Sequence, residues 1–365
     1  MFLVITRNFP PEIGGIQSLM SGLSENLLNH GPVKVFTYEF TNSKDYDAKS
    51  TLSIERIKSI KLFRKYRKAN IVNDFIKKNS NIRAIIADHW KSLEYIKREN
   101  LNKSRTFCLL HSKEINHEIG SSQNKRLIKS TNKADYIIAN SNFTKNLAIK
   151  VGIDTSKIKV IFPGIQKPKI IENEFLLKAE KIFGKSFPKI ITVSRLEKRK
   201  GHDKILMTIK NLKVKFPDIK YISIGYGDEE NSLKKLSKEL NLDKEVLFLK
   251  NIKENLKLAL IAKSNLFLMP TRIDKKSVEG FGISYMEAAS YSVGSIGGKD
   301  GGASDAIIHN KTGLICDGND LNSVYNSVID FFKDDKFVKF GKMAQNYSDN
   351  FHWNKIVKNY LKLIN

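Results

Sequence analysis

The sequence predicts an α/β protein of two domains, each built around a parallel β-sheet. Short apolar runs of the kind found in buried parallel strands recur along the chain, and helix-length sequence separates each run from the next. This alternation is typical of βαβ units. At roughly 150 residues per domain, the 365 residues are enough for two domains with separate cores.

The N-terminal half contains the first series of βαβ units. Helical spacing of apolar residues runs from Ile16 to Leu27, and Ser141 is the predicted N-cap of a later helix. Residues 65–78 are predicted to form a basic helix, and the segment before it is left unassigned. The predicted strands are residues 2–6, 33–38, 83–88, 106–110, 135–139 and 159–162.

A polar, strand-poor stretch, residues 165–188, is the predicted linker to a second βαβ series. Its predicted strands are residues 189–194, 220–224, 246–249, 266–269, 293–296 and 313–316. Apolar residues at helical spacing predict a last helix near the C-terminus. We expect a first domain of residues 1–165 plus a C-terminal helix at 350–365, and a second domain of residues 166–349. The two are expected to face each other across a cleft, with functional residues at the carboxyl ends of strands.

Composition narrows the class of protein. Hydrophobic residues make up 41% of the chain and charged residues 28%, as in a globular protein in water. No apolar run approaches the roughly 18 residues of a membrane-spanning helix, and the N-terminal apolar run before Arg7 indicates a strand rather than a signal peptide. Cys108 and Cys316 are predicted to be reduced core thiols. The cytoplasm is therefore the expected compartment.

The formal net charge of +25 has three interpretations. The first is attraction of the chain to an anionic membrane or an acidic substrate. The second is a lysine-rich composition without a functional role for the charge, and the third is binding of nucleic acid. Membrane or substrate attraction is preferred, because residues 56–78 interleave basic and apolar residues as membrane-surface helices do. A solvated helix face remains open for that segment. Nucleic acid is disfavoured, because no recognition motif accompanies the charge.

Glycines and cations follow two of the predicted strands. Gly14 and Gly15 lie in a strand-to-helix turn, where glycine allows a ligand to approach the backbone closely, although a purely structural turn is the alternative. Arg195 and Lys200 follow a strand of the second half. Two long cations could neutralise a diphosphate leaving group.

Residues 278–288 place two carboxylates around a Gly-x-Gly turn that leads into a helix. A helix start offers unpaired N–H groups and a favourable dipole for anions. Glu287, on the helix, could accept hydrogen bonds from two ribose hydroxyls, and Glu279, in the loop, could lie beside a sugar. The amides of Gly280 to Ile283 could hold sugar hydroxyls or phosphate.

The spacing from Glu279 to Glu287 forms a Glu-x7-Glu motif, and further segments accompany it. They are residues 9–17, 194–201, 225–228, 279–283, 301–306 and 312–314. Together they resemble the retaining glycosyltransferases of family four, which have the GT-B fold, over nearly the whole chain. Gly-Gly-Ile-Gln, Glu-Gly-Phe-Gly-Ile and Gly-Gly-Ala resemble the phosphatidylinositol-mannoside mannosyltransferase branch in particular.

The resemblance implies a GT-B fold in which the C-terminal helix crosses back to the N-terminal domain. It also implies that the N-terminal domain binds the acceptor and the C-terminal domain binds the nucleotide sugar. The implied catalytic residues are His111, Arg195, Lys200 and Glu279. The implied nucleotide-sugar-binding residues are Gly14, Gly15, Gly225, Gly227, Ile252, Gly280, Phe281, Gly282, Ile283 and Glu287.

Roles follow for these residues by resemblance. Arg195 and Lys200 grip the diphosphate, Glu287 holds the ribose, and Glu279 holds the transferred sugar. His111 contacts that sugar near the reacting carbon. Retaining transfer in the family lacks a clear protein nucleophile, and the leaving phosphate is proposed to take the acceptor's proton. Neither a metal nor a cofactor is expected.

Three departures from the family pattern affect this expectation. Asn251 stands where many relatives have glycine, which puts contacts to the base in doubt, and Ser112 replaces a frequent glycine after His111. Residues 291–295 replace the usual Gly-x-Pro-Val, so its proline is absent.

The function expected from the sequence is a cytoplasmic, metal-independent, retaining glycosyltransferase on the inner face of the membrane. GDP-mannose is the preferred donor, and UDP-sugars are the next candidates. The expected acceptor is a glycan or a lipid-linked molecule in surface polysaccharide or glycolipid synthesis. The alternatives are a GT-B sugar-nucleotide epimerase and a non-catalytic sugar-nucleotide-binding subunit. Intact Arg195, Lys200, Glu279 and Glu287 disfavour the latter.

Overall fold

The structure is a computed structural model that describes residues 1–60 and 62–365, so Lys61 of the basic segment lies outside the described residues. The chain divides into two compact units. Unit 1 is Met1–Gln166 with Phe351–Asn365, and unit 2 is Lys167–Asn350. The domain boundaries predicted from the sequence differ from these by one residue at each junction.

Unit 1 contains a parallel sheet whose described strands have the order β3-β2-β1-β4-β5-β6-β7. The strands are β1 Phe2–Ile5, β2 Val33–Tyr38, β3 Ser53–Ile57, β4 Ala84–Ala87, β5 Arg105–Leu110, β6 Tyr136–Ala139 and β7 Ile158–Val160. Strands β1 and β4 are buried throughout, as their continuous apolar sequences require. The edge strand β3 was not predicted, because its sequence Ser-Ile-Glu-Arg-Ile is largely polar and only partly buried.

The helices of unit 1 alternate with these strands. They are α1 Gly15–Leu27, α2 Ser43–Lys49, α3 Arg64–Lys78, α4 Trp90–Leu93, α5 Arg98–Leu101, α6 Ser122–Thr131 and α7 Asn142–Lys150, with 3₁₀ turns at Leu28–His30 and Thr155–Lys157. Ser141 caps α7 as predicted, because its side chain accepts a hydrogen bond from the Thr144 amide.

Unit 2 contains a second parallel sheet with the order β10-β9-β8-β11-β12-β13. Its strands are β8 Lys189–Val193, β9 Lys220–Ile224, β10 Val246–Leu249, β11 Leu266–Met269, β12 Ser295–Gly298 and β13 Gly313–Cys316. Its helices are α8 Asn173–Phe183, α9 His202–Leu212, α10 Glu230–Glu239, α11 Glu254–Ala262, α12 Ile283–Ser290, α13 Ala303–Ala306, α14 Leu321–Phe332 and α15 Lys336–Ser348. Short 3₁₀ turns lie at Lys198–Lys200 and Lys333–Asp335, and a further one, Asp349–Phe351, ends at the first residue of the chain's return to unit 1. The two-sheet α/β architecture predicted from the sequence is confirmed.

The last helix, α16 (Trp353–Ile364), returns to unit 1 and packs into its core. The Trp353 indole lies against the backbone of Gly22 and Gly164, where an added Cβ would come within 2.3 Å of the ring. Ile356, Val357 and Tyr360 are also buried there. The return of the C-terminal helix to the N-terminal domain is thus confirmed.

Two bulk features were also predicted. Cys108 and Cys316 are free, buried thiols, and burial raises the pKa of the Cys316 thiol to about 12. Within residues 1–60 and 62–365, no helix is both long and apolar enough to cross a membrane.

Candidate active site

The Gly14–Gly15 turn follows β1 and opens α1 in unit 1. An added Cβ at Gly15 would meet nothing within 4 Å, whereas one at Gly14 would lie 2.4 Å from the side-chain oxygen of Gln17. The backbone at Gly15 is therefore open to a close approach, as the sequence predicts for a ligand-binding turn.

His111 follows β5 on the carboxyl edge of the same sheet. Its Nε2 lies 2.8 Å from the carbonyl oxygen of Asp88, so this nitrogen carries the proton and donates it. In a neutral ring Nδ1 is then an acceptor. The His111 amide donates to Glu114 Oε1 at 2.5 Å, which fixes the backbone at this strand end.

The polar residues beside His111 have structural roles. The Asp88 carboxylate accepts hydrogen bonds from Thr6 Oγ1, the Arg7 amide and Ser92 Oγ at 2.6–3.0 Å, and so ties the end of β4 to that of β1. His89 caps α4 by accepting from the Lys91 amide, and burial lowers the pKa of His89 well below its ordinary value. Its ring is therefore neutral near pH 7.

Two cations on this edge, Lys68 and Arg7, were not predicted as residues of the candidate site. Lys68 is buried and donates to the Thr6 carbonyl at 2.8 Å, and burial lowers its pKa to about 8, although the charge of Asp88 opposes the shift. The Nε of Arg7 is buried and has no hydrogen-bond partner among the described residues. Arg7 could have been found from its place between β1 and the Gly14–Gly15 turn; Lys68 is one of many lysines and carries no such signal.

In unit 2, the ends of the neighbouring strands β8 and β11 bring the predicted Lys200 and Glu279 together. Lys200 Nζ and Arg199 Nη1 both form ion pairs with Glu279 Oε2, the second at 2.5 Å. Arg199 was not predicted. It also binds Glu197 at 2.8 Å, and Glu197 in turn pairs with Arg195 at 2.7 Å.

Burial distinguishes the cations of this loop. The side chains of Arg199 and Lys200 are 10% and 8% exposed, whereas that of Arg195 is 58% exposed. Burial alone would raise the pKa of Glu279, but the charges of Lys200 and Arg199 outweigh it and lower the pKa to about 2. Glu279 is therefore ionised at neutral pH. Three cations and two carboxylates leave this loop cluster with an excess of positive charge, which suits an anionic ligand.

Glu287 lies on α12 and is partly exposed. Lys257 Nζ lies 3.7 Å from Glu287 Oε1 and 2.8 Å from Glu254 Oε1. Burial would lower the pKa of Lys257, but these two carboxylates raise it overall. Lys257 thus places a positive charge beside Glu287, and this neighbour was not predicted.

The glycines of the candidate site have packing reasons of their own. An added Cβ at Gly225 would lie 1.8 Å from the Ser194 carbonyl oxygen, and one at Gly227 would lie 2.4 Å from that of Leu196. Gly282 has a φ of +88°, which favours glycine. Close packing of the loops after β8 and β9 therefore explains Gly225 and Gly227, and their contact with a ligand stays a prediction.

The other residues predicted to bind the nucleotide sugar would do so through apolar side chains or backbone amides. Phe281 is only 1% exposed, so its ring belongs to the interior and only its backbone suits a sugar or phosphate. Gly280 is buried, and Ile283 is the first residue of α12. Ile252 follows β10 and is partly buried. In the described ranges, no group of three or more His, Cys, Asp or Glu side chains could hold a metal ion.

Similar solved structures define the class of this fold. The chain superposes on HepE from Anabaena with a TM-score of 0.82, at 17% identity, over 100% of this chain and 99% of that one. It superposes on the sucrose-phosphate synthase of Thermosynechococcus elongatus with a TM-score of 0.78, at 17% identity, over 100% and 98%. The fold is that of the GT-B glycosyltransferases.

Two family models match the chain: Glycosyltransferase Family 4 over residues 13–167, and Glycosyl transferases group 1 over residues 174–350. A GDP-mannose-dependent alpha-(1-6)-phosphatidylinositol monomannoside mannosyltransferase from Mycolicibacterium smegmatis is 23% identical over 96% of this chain and 94% of that protein. An N-acetyl-alpha-D-glucosaminyl L-malate synthase from Bacillus anthracis is 30% identical over 50% and 47%. The chain belongs to glycosyltransferase family four and is a glycosyltransferase. The resemblance predicted from its motifs is confirmed.

Proposed function

We propose that the chain transfers a hexose, in the first place mannose, from a nucleotide-diphosphate sugar to a glycan or lipid-linked acceptor. The observation that carries this proposal is the buried Arg199–Lys200–Glu279 cluster at the carboxyl ends of β8 and β11, inside the family motifs. GDP-mannose is preferred because several relatives that align over most of the chain are named as GDP-mannose-dependent enzymes.

Lys200 and Arg195 are proposed to bind the donor diphosphate, with Arg199 as a third cation. The pair between Lys200 and Glu279 holds the ammonium group in the loop before the donor arrives. When the glycosidic bond breaks, negative charge grows on the leaving diphosphate, and positioned cations stabilise it. The reaction is proposed to need no metal, because these side chains supply that charge.

We propose transfer with retention and without a protein nucleophile. Glu279 is the carboxylate expected beside the sugar, and its pKa of about 2 makes it a weak base and a weak nucleophile. The leaving phosphate is therefore the better acceptor for the hydroxyl proton. Analysis of the product anomer by NMR tests this, and an inverted product would contradict it.

Unit 1 is proposed to bind the acceptor with the residues on its carboxyl edge. His111 is proposed to contact the transferred sugar, and Arg7 and Lys68 make this edge electropositive. An acceptor that carries a phosphate, as lipid-linked acceptors do, would match that charge.

A peripheral contact with an anionic membrane on the cytoplasmic side is proposed for residues 58–67, which follow β3 and include the first turn of α3. Residues 58–67 contain basic but no acidic residues. The segment also exposes large apolar side chains, namely Ile60 at 75%, Leu62 at 72%, Phe63 at 56% and Tyr66 at 45%. Apolar side chains ringed by cations are what interfacial binding requires.

The donor assignment is tested by thermal shift and product formation with a set of GDP- and UDP-sugars. Lys200→Ala should lower turnover at least 100-fold, because an oxyanion-type contact contributes about 10²–10³ in rate. Lys198→Ala is the matched control, since Lys198 is exposed in the same turn. Absence of a shift with every donor would contradict the proposal, and conversion of the donor without an acceptor would favour an epimerase.

Membrane contact is tested by co-sedimentation with phosphatidylglycerol vesicles. The double variant Ile60→Ser/Leu62→Ser should lower binding about tenfold, because it removes apolar area that would leave water. Val214→Ser/Val338→Ser, at positions 90% and 61% exposed in unit 2, is the control. Equal binding to phosphatidylcholine vesicles, or equal loss in the control, would contradict this contact.

A further inference from the structure

A cavity of about 590 Å³ lies in unit 1 at the amino ends of the strands β4 to β7. Its lining is strongly basic. Six cations line it, namely Arg83, Arg98, Lys103, Arg105, Lys133 and Lys157, against the single carboxylate of Asp135 among the described lining residues. No part of the proposed glycosyl transfer uses this cavity.

Three of the six cations donate hydrogen bonds to oxygen atoms of the protein. Lys133 Nζ donates to the carbonyl oxygens of Leu93, Glu94 and Ile96 at 2.7–3.0 Å. Lys157 Nζ donates to two more carbonyls, and Arg83 donates to His30 and Asn365. These bonds keep positive charge fixed around the cavity, because the side chains cannot turn away without losing them.

The other three cations, Arg98, Lys103 and Arg105, are exposed. Within residues 1–60 and 62–365, their side chains make no hydrogen bond or ion pair. The Asp135 carboxylate accepts a hydrogen bond from the Thr106 amide at 2.8 Å, so it is held at the backbone rather than by one of these cations. Like charges gathered around one concave site repel one another, and an anion between them relieves that repulsion.

We propose that this cavity binds a compact anion with two or more phosphate groups. Guanidinium groups hold phosphate oxygens by paired hydrogen bonds, and Arg98 and Arg105 line the cavity together with Lys103. The volume falls within the roughly 300–1,000 Å³ of small-molecule sites. The cavity is thus large enough for a diphosphate or a phosphorylated sugar.

The lining also disfavours a nucleotide and a lipid as the bound anion. The described residues that form it include no aromatic side chain, so it lacks a platform on which a nucleobase could stack. Its apolar residues are Leu101, Ala134 and Ile364, which leave little surface for an acyl chain. A free phosphorylated metabolite fits better than a lipid, of which only the headgroup could enter.

The site is separate from the candidate active site of unit 1. Gly15 and His111 lie at the carboxyl ends of strands, whereas the cavity lies at their amino ends. Strands of this length span roughly 13–20 Å. An anion in the cavity would therefore not compete with a ligand at Gly15, and the proposal does not depend on the proposed donor or acceptor.

Calorimetric titration of the full chain with sodium pyrophosphate at fixed ionic strength tests the proposal. Wild type should show a saturable binding step for pyrophosphate. The affinity of this step should fall at least tenfold in the variant Arg98→Gln/Lys103→Gln/Arg105→Gln. The matched control Lys49→Gln/Lys125→Gln/Lys150→Gln removes three exposed cations of the same unit outside the cavity and should keep that step. Pyrophosphate bound at Arg195 and Lys200 would persist in all three proteins, so the difference between the two triple variants is the readout.

Thermal melts in buffer verify that both triple variants are folded. Vesicles that carry phosphatidylinositol phosphate then distinguish a free anion from a lipid headgroup. If the pyrophosphate binding step is lost only in the cavity variant, the ligand of the cavity is a free anion. Vesicle binding lost only in that variant, without a pyrophosphate step, assigns a headgroup. If neither probe separates the cavity variant from the control, the site does not exist.

Discussion

At the scale of single residues, the loop after β8 shows how burial selects among adjacent charges. Lys198, Arg199 and Lys200 are consecutive, yet only Arg199 and Lys200 are buried, and both pair with Glu279. A sequence rich in lysine cannot show which of three neighbouring cations turns inward. Lys200 was found through the family resemblance, whereas Arg199 was missed because the resemblance gives it no role, although it lies in the same motif segment.

The Glu279 ion pairs predict a pH dependence of stability. The folded-state pKa of about 2 lies below the ordinary 4.5, so the ionised carboxylate stabilises the fold above pH 4.5. That contribution, about 3 kcal/mol from the size of the shift, is lost as the pH falls from 4.5 toward 2. Urea unfolding followed by circular dichroism should therefore show wild type and Glu279→Gln far apart from pH 7 to 5 and converging below 4.5.

Glu174→Gln makes the same chemical change at an exposed position of unit 2 and is the control for this experiment. Its difference from wild type should be small and independent of pH. A gap between wild type and Glu279→Gln that stays constant down to pH 3.5 would show that the ion pairs do not shift the carboxylate as described.

Two departures from the family pattern have a common geometry at this scale. Ser112 and Asn251 stand where the family resemblance leads to an expectation of glycine, and both have positive φ, at +88° and +53°. Glycine adopts this region without steric cost, and asparagine tolerates it. The sequence showed that the glycines were absent, but the reason that glycine is favoured there became visible only in the backbone.

At the scale of elements, most strands could be predicted because buried parallel strands are short, continuous apolar runs. Strand β3 could not, since one side of an edge strand faces solvent and its sequence is not continuously apolar. Glycines at a strand-to-helix turn predicted Gly14–Gly15 as a ligand site, and the family resemblance extended this prediction to the turn that contains Gly225. Such a pattern does not reveal whether a glycine makes room for a ligand or for another loop.

Gly15 and Gly225 separate these two reasons in one experiment. Gly15→Ala should leave stability unchanged within about 0.5 kcal/mol, because its Cβ meets nothing, but should weaken donor binding. Gly225→Ala should destabilise unit 2 by at least about 2 kcal/mol, because its Cβ would lie 1.8 Å from the Ser194 carbonyl at a φ of +153°. Urea unfolding and donor titration of both variants measure the two effects.

The opposite pattern would overturn these assignments. A Gly15→Ala variant that binds the donor as wild type does would show that Gly15 only forms the turn. A Gly225→Ala variant of normal stability that binds no donor would place the ligand, rather than the Ser194 loop, against Gly225.

At the scale of the whole molecule, unit 1 is assembled from both ends of the chain. The outgoing segment at Ile165 pairs with the returning segment, since its amide donates to Phe351 at 2.8 Å and its carbonyl accepts from Trp353 at 3.1 Å. Helical spacing predicted the last helix, but spacing does not reveal its partner, which only the family resemblance supplied. Contacts between residues so distant in the chain leave no local signal.

This arrangement predicts that a substitution in the last fifteen residues destabilises the N-terminal unit. Ile356→Ala should lower the free energy of unfolding of unit 1 by about 2–4 kcal/mol, as expected for a buried isoleucine. Both tryptophans, Trp90 and Trp353, belong to unit 1, so tryptophan fluorescence during urea unfolding reports on that unit. Ile119→Ala makes the same change at a 68% exposed position of unit 1 and should cost less than about 0.5 kcal/mol. A fluorescence transition of Ile356→Ala that coincides with that of Ile119→Ala would show that the last helix contributes nothing to the stability of unit 1.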